Sequence, residues 1–554
     1  MPRRFLLPLL LVSALCPYFI DLDGSSIWDA NEAFYVETPR EMMERGDYIN
    51  PNFNYEPRLN KPVLSYWIVG AFYQVFGVSV GVQRIPIAIG ALVLIAAAFF
   101  LARAASPDGA GSAAGWWAAL GLAISPRLVM FGRRIFIDIY ISMFMALTLL
   151  FFALAERNPE RRRLYLVLMY VCVGLGVLTK GPVALVLPAL VFGCYLLTER
   201  ELRRMREMLI PLGALIVLAI VVPWYAALYA RSGWEPIVSF VLGENVARYT
   251  EGLGVNASRG PFFYLPVVFS DTFPWSVFLF VAAAAWFDDR RRPVAERDAG
   301  FRIRTLLWLW ILMIVGFFTL SAAKQDLYIF PIVPAIAALA GVTIARAFQR
   351  DGGTAGLQRT TFAIGALLVI LGAAVLYLFQ TSLAVYTLDG TALAGGIAIA
   401  GGACALVLAR VRRSREALLT IAAAMIAVNW IFVLRVLPSF EAYKPAPGFA
   451  TVLKARAGPN DQIVTYNVAL PSLVYYLRRH IDVFYDHEPV LPLLESGRTV
   501  YLMLPRHDYE TLILPALKTR TCTVSRQPMF DVKLRNVLAR ERLPELLLVT
   551  NKCH

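Results

Sequence analysis

Histidine is almost missing from this chain: 554 residues contain four, alongside six cysteines. No CxxC pair and no His/Cys cluster has metal-site spacing, so no metal ligands are assigned. A divalent cation shared by scattered carboxylates such as Asp29 and Glu244 stays open, and no other cofactor is called for. Charge is scarce as well. Only 17% of residues are charged and 58% are apolar, against about 25% charged in soluble domains, which excludes an ordinary soluble enzyme. Acidic residues are fewer than basic ones, giving a formal charge of +14. The arginines cluster in short loops between apolar runs, where positive-inside bias accounts for them without a nucleic acid. Internal repeats and low-complexity tracts are absent.

What is present is a series of apolar runs, each near the roughly 20 residues that cross a hydrocarbon layer of about 30 Å. Thirteen spans are expected, at 4–20, 84–105, 112–131, 136–155, 164–180, 182–198, 208–229, 262–287, 304–322, 328–347, 360–380, 391–409 and 417–437. Segment 61–77 is short and carries Lys61, Tyr66, Trp67 and Gln74. Leaving it out of the count puts the Arg-rich loops at 161–163, 203–204, 290–292, 346–359 and 410–415 all on the cytoplasmic side. It therefore reads as an interfacial or re-entrant helix. An odd number of spans places everything after 437 on the outer face.

The fold class is accordingly a polytopic α-helical membrane protein. A membrane domain (1–437), including a first outer loop at 21–83, precedes a small outer α/β domain (438–554). The tail has β-like runs at 462–466, 483–485 and 500–503, with a helical pattern at 471–479 between them. Cys522 and Cys553 both lie in it, and a disulfide between them fits an oxidising compartment. His480, His487 and His507 read as ordinary surface residues of this domain.

Polar residues unexpected in a membrane protein then collect on the outer face. The first loop holds Asp29, Asn31, Glu32, Glu37, Arg40, Arg58 and Lys61; Arg133, Arg134 and Asp138 sit at the outer ends of two spans. Lys180, Glu244, Arg248 and Lys324 mark three further outer turns. A single boundary charge is commonly a snorkelling side chain or an ion pair, but clusters converging on one face point to a site. Cations beside carboxylates suit transfer from an anionic lipid-linked donor: cations neutralise a phosphate leaving group and a carboxylate deprotonates an acceptor hydroxyl.

Several motifs carry a resemblance. Trp28-Asp29-Ala30-Asn31-Glu32-Ala33-Phe34-Tyr35, Pro39-Arg40-Glu41-Met42, Gly46-Asp47-Tyr48 and Lys61-Pro62 come first. Leu178-Thr179-Lys180-Gly181-Pro182, Pro223-Trp224-Tyr225, Pro274-Trp275 and the run 324–334 follow in order. The set resembles bacterial GT-C glycosyltransferases, of the protein mannosyltransferase-like family that includes the aminoarabinose transferases. The resemblance implies about thirteen helices, a polyprenyl-phosphate sugar donor such as an undecaprenyl-phosphate-linked sugar, and inversion at the anomeric carbon. It also implies chemistry at the periplasmic face of a bacterial inner membrane, with a lipid A, glycolipid, glycan or protein acceptor.

The family's catalytic Asp immediately precedes a Glu; here Asn31 stands there, and a neutral amide is no base. Asp29 or Glu32 then takes the role, or Asn31 positions substrate. Phe34 stands where aminoarabinose transferases tend to have Arg, Asn60 where they have Glu, and Ser258 or Arg259 where they have His. Lys61, Lys324 and Arg248 are expected to bind phosphate. Asp138 is expected to pair with Arg133 or Arg134 and shape the site, with Arg58, Tyr35, Lys180 and Tyr328 as further substrate contacts. Two other readings stay open: a polytopic transporter or flippase, and an inactive scaffold on the same fold.

Overall fold

The computed structural model describes residues 6–29, 31–107, 109–252, 259–349, 354–381, 384–518, 520–530 and 543–553. Ser258 and His554 lie outside them. Among the described residues nine helices are long and apolar enough to cross a membrane: Val80–Ala104, Ile137–Arg157, Pro159–Lys180, Ile210–Ser232, Phe301–Leu320, Asp326–Gln349, Ala355–Gln380, Thr391–Arg410 and Ser414–Tyr443. Each falls on an expected span.

The other four expected spans differ. Leu6–Tyr18 and Val183–Thr198 are helical but short of full span length. Segment 112–131 is two helices, Gly111–Ala123 and Pro126–Phe131, because Ser125 before the proline is extended (φ −63°, ψ 120°) and breaks the first. Segment 262–287 is not one straight span. Tyr264–Asp271 and Trp275–Arg291 meet at a 110° bend, and Pro274 between them supplies no amide to continue the ladder. Segment 61–77 contains a 13-residue helix, Leu64–Phe76, whose last residues Val75 and Phe76 are exposed.

The arginine-rich loops gather at one end of the bundle. Buried Glu156 accepts from Arg162 and Arg204, and Glu201 from Arg204 and Arg302. Asp289 takes Arg304 and Arg346. At the opposite end stand the start of Ile137–Arg157, the end of Arg162–Lys180 and the first loop.

That first loop folds around one buried ion pair. The loop helix Asn31–Arg45 carries Glu32, which is 0% exposed, and helix Val80–Ala104 carries Arg84, which is 1% exposed. Arg84 donates to both oxygens of Glu32 (2.7 and 2.9 Å) and to the carbonyls of Leu22, Ser25 and Ser26 (2.7–3.0 Å). Burial works against the Glu32 charge, but Arg84 outweighs it and holds the carboxyl below the usual range. Arg133 likewise donates to the carbonyls of Pro17, Ile20 and Asp21, capping the end of the first helix.

The tail forms a five-stranded sheet in the order β4-β3-β5-β7-β6: β3 (Gln462–Tyr466), β4 (Asp482–Phe484), β5 (Val500–Pro505), β6 (Cys522–Pro528) and β7 (Glu545–Thr550). β3 runs parallel to β4 and β5, and β7 antiparallel to β5 and β6. Helix Ser472–Leu477 lies in the expected 471–479 stretch. A disulfide joins Cys522 and Cys553, tying the two antiparallel strands at one end.

The tail is clamped to the first loop. Glu441 accepts from the Ser26 amide, Tyr476 Oη from the Ile27 amide, and Asp29 from the Ser472 amide (2.8–3.0 Å). The hairpin of β1 (Asn52–Phe53) and β2 (Glu56–Pro57) turns through Asn54 and Tyr55, both at positive φ. Asn54 exchanges two hydrogen bonds with the Ile481 backbone (2.8 and 2.9 Å), so the hairpin is held against the tail.

Replacing Arg84 by Met strands a buried carboxylate and is expected to cost about 3–5 kcal/mol. Thermal unfolding in detergent should show a large loss for Arg84→Met, partly restored when Glu32→Gln is added. An additive loss in the double variant would show that the pair is not coupled.

Candidate active site

Between the first loop and the helix ends lies a cavity of about 580 Å³. Each polar wall residue arrives there for a local reason. Asp138 is in the first turn of Ile137–Arg157, where the helix dipole favours a carboxylate. Lys180 is the last residue of Arg162–Lys180, ended by Gly181 at φ +98°. A Cβ at Gly181 would come within 2.9 Å of the Phe240 ring, so only glycine turns the chain here. Glu244 and Asn245 sit on a π-helical turn, Ser239–Ala247, with Arg248 just after it. Arg58 leaves the β1–β2 hairpin with its amide bonded to the Pro51 carbonyl (2.9 Å), and Asn60 and Lys61 follow.

Ion pairs join most of these groups. Lys61 Nζ is 3.2 Å from Glu244, Arg248 is 3.4 Å from the same carboxylate oxygen, and Lys180 pairs with Asp138. The Lys180 ammonium also lies 5.0 Å from the centre of the Tyr328 ring. Burial pulls Lys61 down to about 8; Glu244 raises it, while Lys180 and Arg248 depress it further. The wall thus carries four cations, Arg58, Lys61, Lys180 and Arg248, against two carboxylates, Asp138 and Glu244. An anion is what this balance takes up most readily.

The other end of the cavity is apolar. Ile137, Ile141 and Met145 share a helix face at a spacing of four residues, and Val183, Val186 and Leu187 share one at spacings of three and four. Phe317, Phe318, Leu327 and Pro331 complete the wall. Leu185, Val186 and Leu190 on helix Val183–Thr198 are exposed, so this side faces the hydrocarbon of a membrane.

The expected site residues divide. Asn31, Tyr35, Arg58, Lys61, Asp138, Lys180, Arg248 and Tyr328 all line the cavity. Asp29, Glu32 and Lys324 do not. Glu32 is consumed by Arg84 beneath the loop. Asp29 faces the tail, accepting from Ser472, and burial pushes its carboxyl up to about 6. Lys324 turns inward, with Nζ donating to the Ser321 carbonyl at 2.7 Å. Asp138 pairs with Lys180 rather than with Arg133, which is occupied by carbonyls, or Arg134, whose guanidinium lies 3.6 Å over the Trp28 ring.

Arg259 donates to the Lys324 carbonyl outside the cavity. Wall residues the sequence reading passed over as contacts are Asn60, Asn245 and Gln325; the last two sit inside runs already singled out for their charges, which was the available signal. Among the described residues no three His, Cys, Asp or Glu side chains are grouped to hold a metal ion.

Comparison with known proteins agrees with this architecture. The family model described as dolichyl-phosphate-mannose-protein mannosyltransferase matches residues 60–226. An undecaprenyl phosphate-alpha-4-amino-4-deoxy-L-arabinose arabinosyl transferase of Pseudomonas aeruginosa (strain LESB58) is 29% identical over 67% of this chain. The match spans 66% of that relative, just under two thirds of its length. The protein of the same description from Pseudomonas aeruginosa (strain PAO1) is 28% identical, aligned over 99% of this chain and 96% of its own. The crystal structure of ArnT from Cupriavidus metallidurans bound to undecaprenyl phosphate superimposes with a TM-score of 0.79 at 22% identity, covering 99% of this chain and 98% of that one. The matched segment 60–226 holds Lys61, Asp138 and Lys180, and the longer alignment runs on through the tail, so the chain is similar to these arabinosyl transferases over nearly its whole length and shares the fold of ArnT.

Proposed function

We propose that this integral membrane protein is an inverting glycosyltransferase that moves a sugar from a polyprenyl-phosphate donor to a hydroxyl of an acceptor at the membrane surface. The observation that carries the reading is the two-ended cavity. Its cationic head opens directly onto apolar stripes of lipid-facing helices, which fits a phosphate with a prenyl tail. The arabinosyl transferase relatives are named for undecaprenyl phosphate substrates, and the crystal structure similar in fold holds undecaprenyl phosphate; both support a donor of that kind.

In this mechanism Lys61, Arg248 and Lys180 receive the donor phosphate and stabilise the charge that builds on it as it leaves. The acceptor oxygen bonds to the anomeric carbon from the opposite face while the sugar–phosphate C–O bond breaks, its electron pair staying on the phosphate oxygen. Glu244 takes the acceptor proton. It lines the cavity, with one carboxylate oxygen 3.2 Å from Lys61 and 3.4 Å from Arg248. Asp138 orients Lys180. Asn31 and Asn60 offer amides to sugar or acceptor hydroxyls, and Tyr35 and Tyr328 offer ring faces. Glu32 and Asp29 serve instead to hold the loop.

The acceptor is a glycolipid such as lipid A, a glycan or a protein, and the site is the periplasmic face of a bacterial inner membrane. The arginine-rich loops at the far end of the bundle support that orientation, as does a disulfide in the tail.

Mass spectrometry of lipids and glycans from cells with and without the protein should reveal a sugar increment that disappears in the deletion; an unchanged glycan profile would refute transfer. Glu244→Gln should retain undecaprenyl phosphate binding and lose at least about 10²-fold in transfer rate, whereas Asp29→Asn stays near the parent. The reverse ranking would return the base to the first loop. Donor affinity should fall as pH rises from 7.5 to 9, because Lys61 sheds its proton near 8 while the phosphate charge is constant. Lys61→Arg should flatten that profile, and a pH dependence persisting in the variant would assign the titration to another group.

A further inference from the structure

Of the four cavity cations, three are tied into ion pairs: Lys61 and Arg248 share Glu244, and Lys180 holds Asp138. Arg58 stands apart. Among the described residues no carboxylate lies within ion-pair distance of it. Its guanidinium is stacked 3.9 Å from the centre of the Phe34 ring, which orients the plane and leaves its edge free. Phe34 is itself braced edge-on by Phe53 of β1 at 4.7 Å. The first-loop residues that share this wall with Arg58 are Asn31, Phe34, Tyr35, Asn60 and Lys61, and no acid is among them. Five acids of that loop are engaged elsewhere: Glu32 with Arg84, Asp29 with the Ser472 amide, Glu37 with Arg40, Glu41 with the Tyr55 amide and Asp47 with Arg231.

Charge matching gives this isolation a meaning. The wall has two more cations than carboxylates, and a sugar phosphodiester brings one negative charge. Transfer does not change that balance, since the proton gained by the general base is matched by the second charge that develops on the departing phosphate. One cation stays uncompensated throughout, and Arg58 is the one without a partner. A planar guanidinium stacked on an aromatic face, in a cavity that two amides also line, matches a carboxylate flanked by hydroxyls. An ammonium group on the sugar would meet a like charge here and find no acid on the loop side of the wall.

Resting on the donor reading above, we infer that the transferred sugar carries a carboxylate, as a uronic acid does, and that Arg58 binds it. The donor is then an acidic glycosyl ester of polyprenyl phosphate, with its phosphate on Lys61, Arg248 and Lys180 and its carboxylate on Arg58.

The test compares binding to the full-length protein in detergent of undecaprenyl phosphate and of three polyprenyl-phosphate donors, bearing a hexuronosyl, a neutral hexosyl or an aminopentosyl group. The uronosyl donor should bind about tenfold more tightly than the neutral one, with the amino sugar weakest. Arg58→Gln should bring the uronosyl-to-neutral ratio close to one, and Arg58→Lys should restore part of it. Each ratio is taken on one preparation, so a smaller folded fraction does not alter it. Equal binding of uronosyl and neutral donors, a preference for the amino sugar, or an unchanged ratio in Arg58→Gln would overturn the inference while leaving the glycosyltransferase reading in place. Failure of undecaprenyl phosphate itself to bind would remove both.

Discussion

The site depends on a pair of charges that never reach it. Arg84, on a membrane-crossing helix, and Glu32, on the first-loop helix, are both almost wholly buried and joined by two hydrogen bonds. Burying two charges is expensive, and their attraction repays it only when every remaining donor is used. Arg84 meets that condition by gathering three carbonyls of the chain before the helix. The loop therefore has one way to sit on the bundle, and Asn31, Phe34 and Tyr35 on the first turns of its helix are aimed at the cavity as a result.

The tail completes the same construction from outside. Trp28 is held between the Arg134 guanidinium at 3.6 Å and the Lys444 ammonium at 4.2 Å, so a residue of the loop, one of the membrane domain and one of the tail share a single contact. Asp29 and Asn54 fasten two more points of the loop to the backbone around helix Ser472–Leu477 and the start of β4. Arg58 leaves the hairpin that Asn54 anchors, which makes the tail a scaffold for a cavity residue.

Within the cavity, charge and apolar surface are divided along one axis. Cations stand at helix ends and loop exits, where hydration or pairing makes them tolerable, and apolar residues continue down the helix faces toward the lipid. A substrate with an anionic head and a long hydrocarbon tail satisfies both halves at once, whereas a small soluble sugar phosphate would leave the apolar half empty.

Much of this was legible in the chain order. Runs of apolar residues near bilayer length specify helices because backbone polar groups in lipid must bond within their own segment. The arginine-rich loops, expected on one side, gather at one end of the bundle, and the ordered motifs carry the resemblance. Lys61, Asp138, Lys180 and Arg248 were identifiable because a charge beside an apolar run is costly and stands out. The tertiary structure alone decided how the carboxylates are used. From sequence, Asp29, Glu32, Asp138 and Glu244 are equivalent acids near one membrane face. Which of them pairs with Arg84, with the Ser472 amide, with Lys180 or with Lys61 depends on partners 42 to 443 residues away. The stacking of Arg58 on Phe34 belongs to the same class, set by the packing of the hairpin against the loop helix.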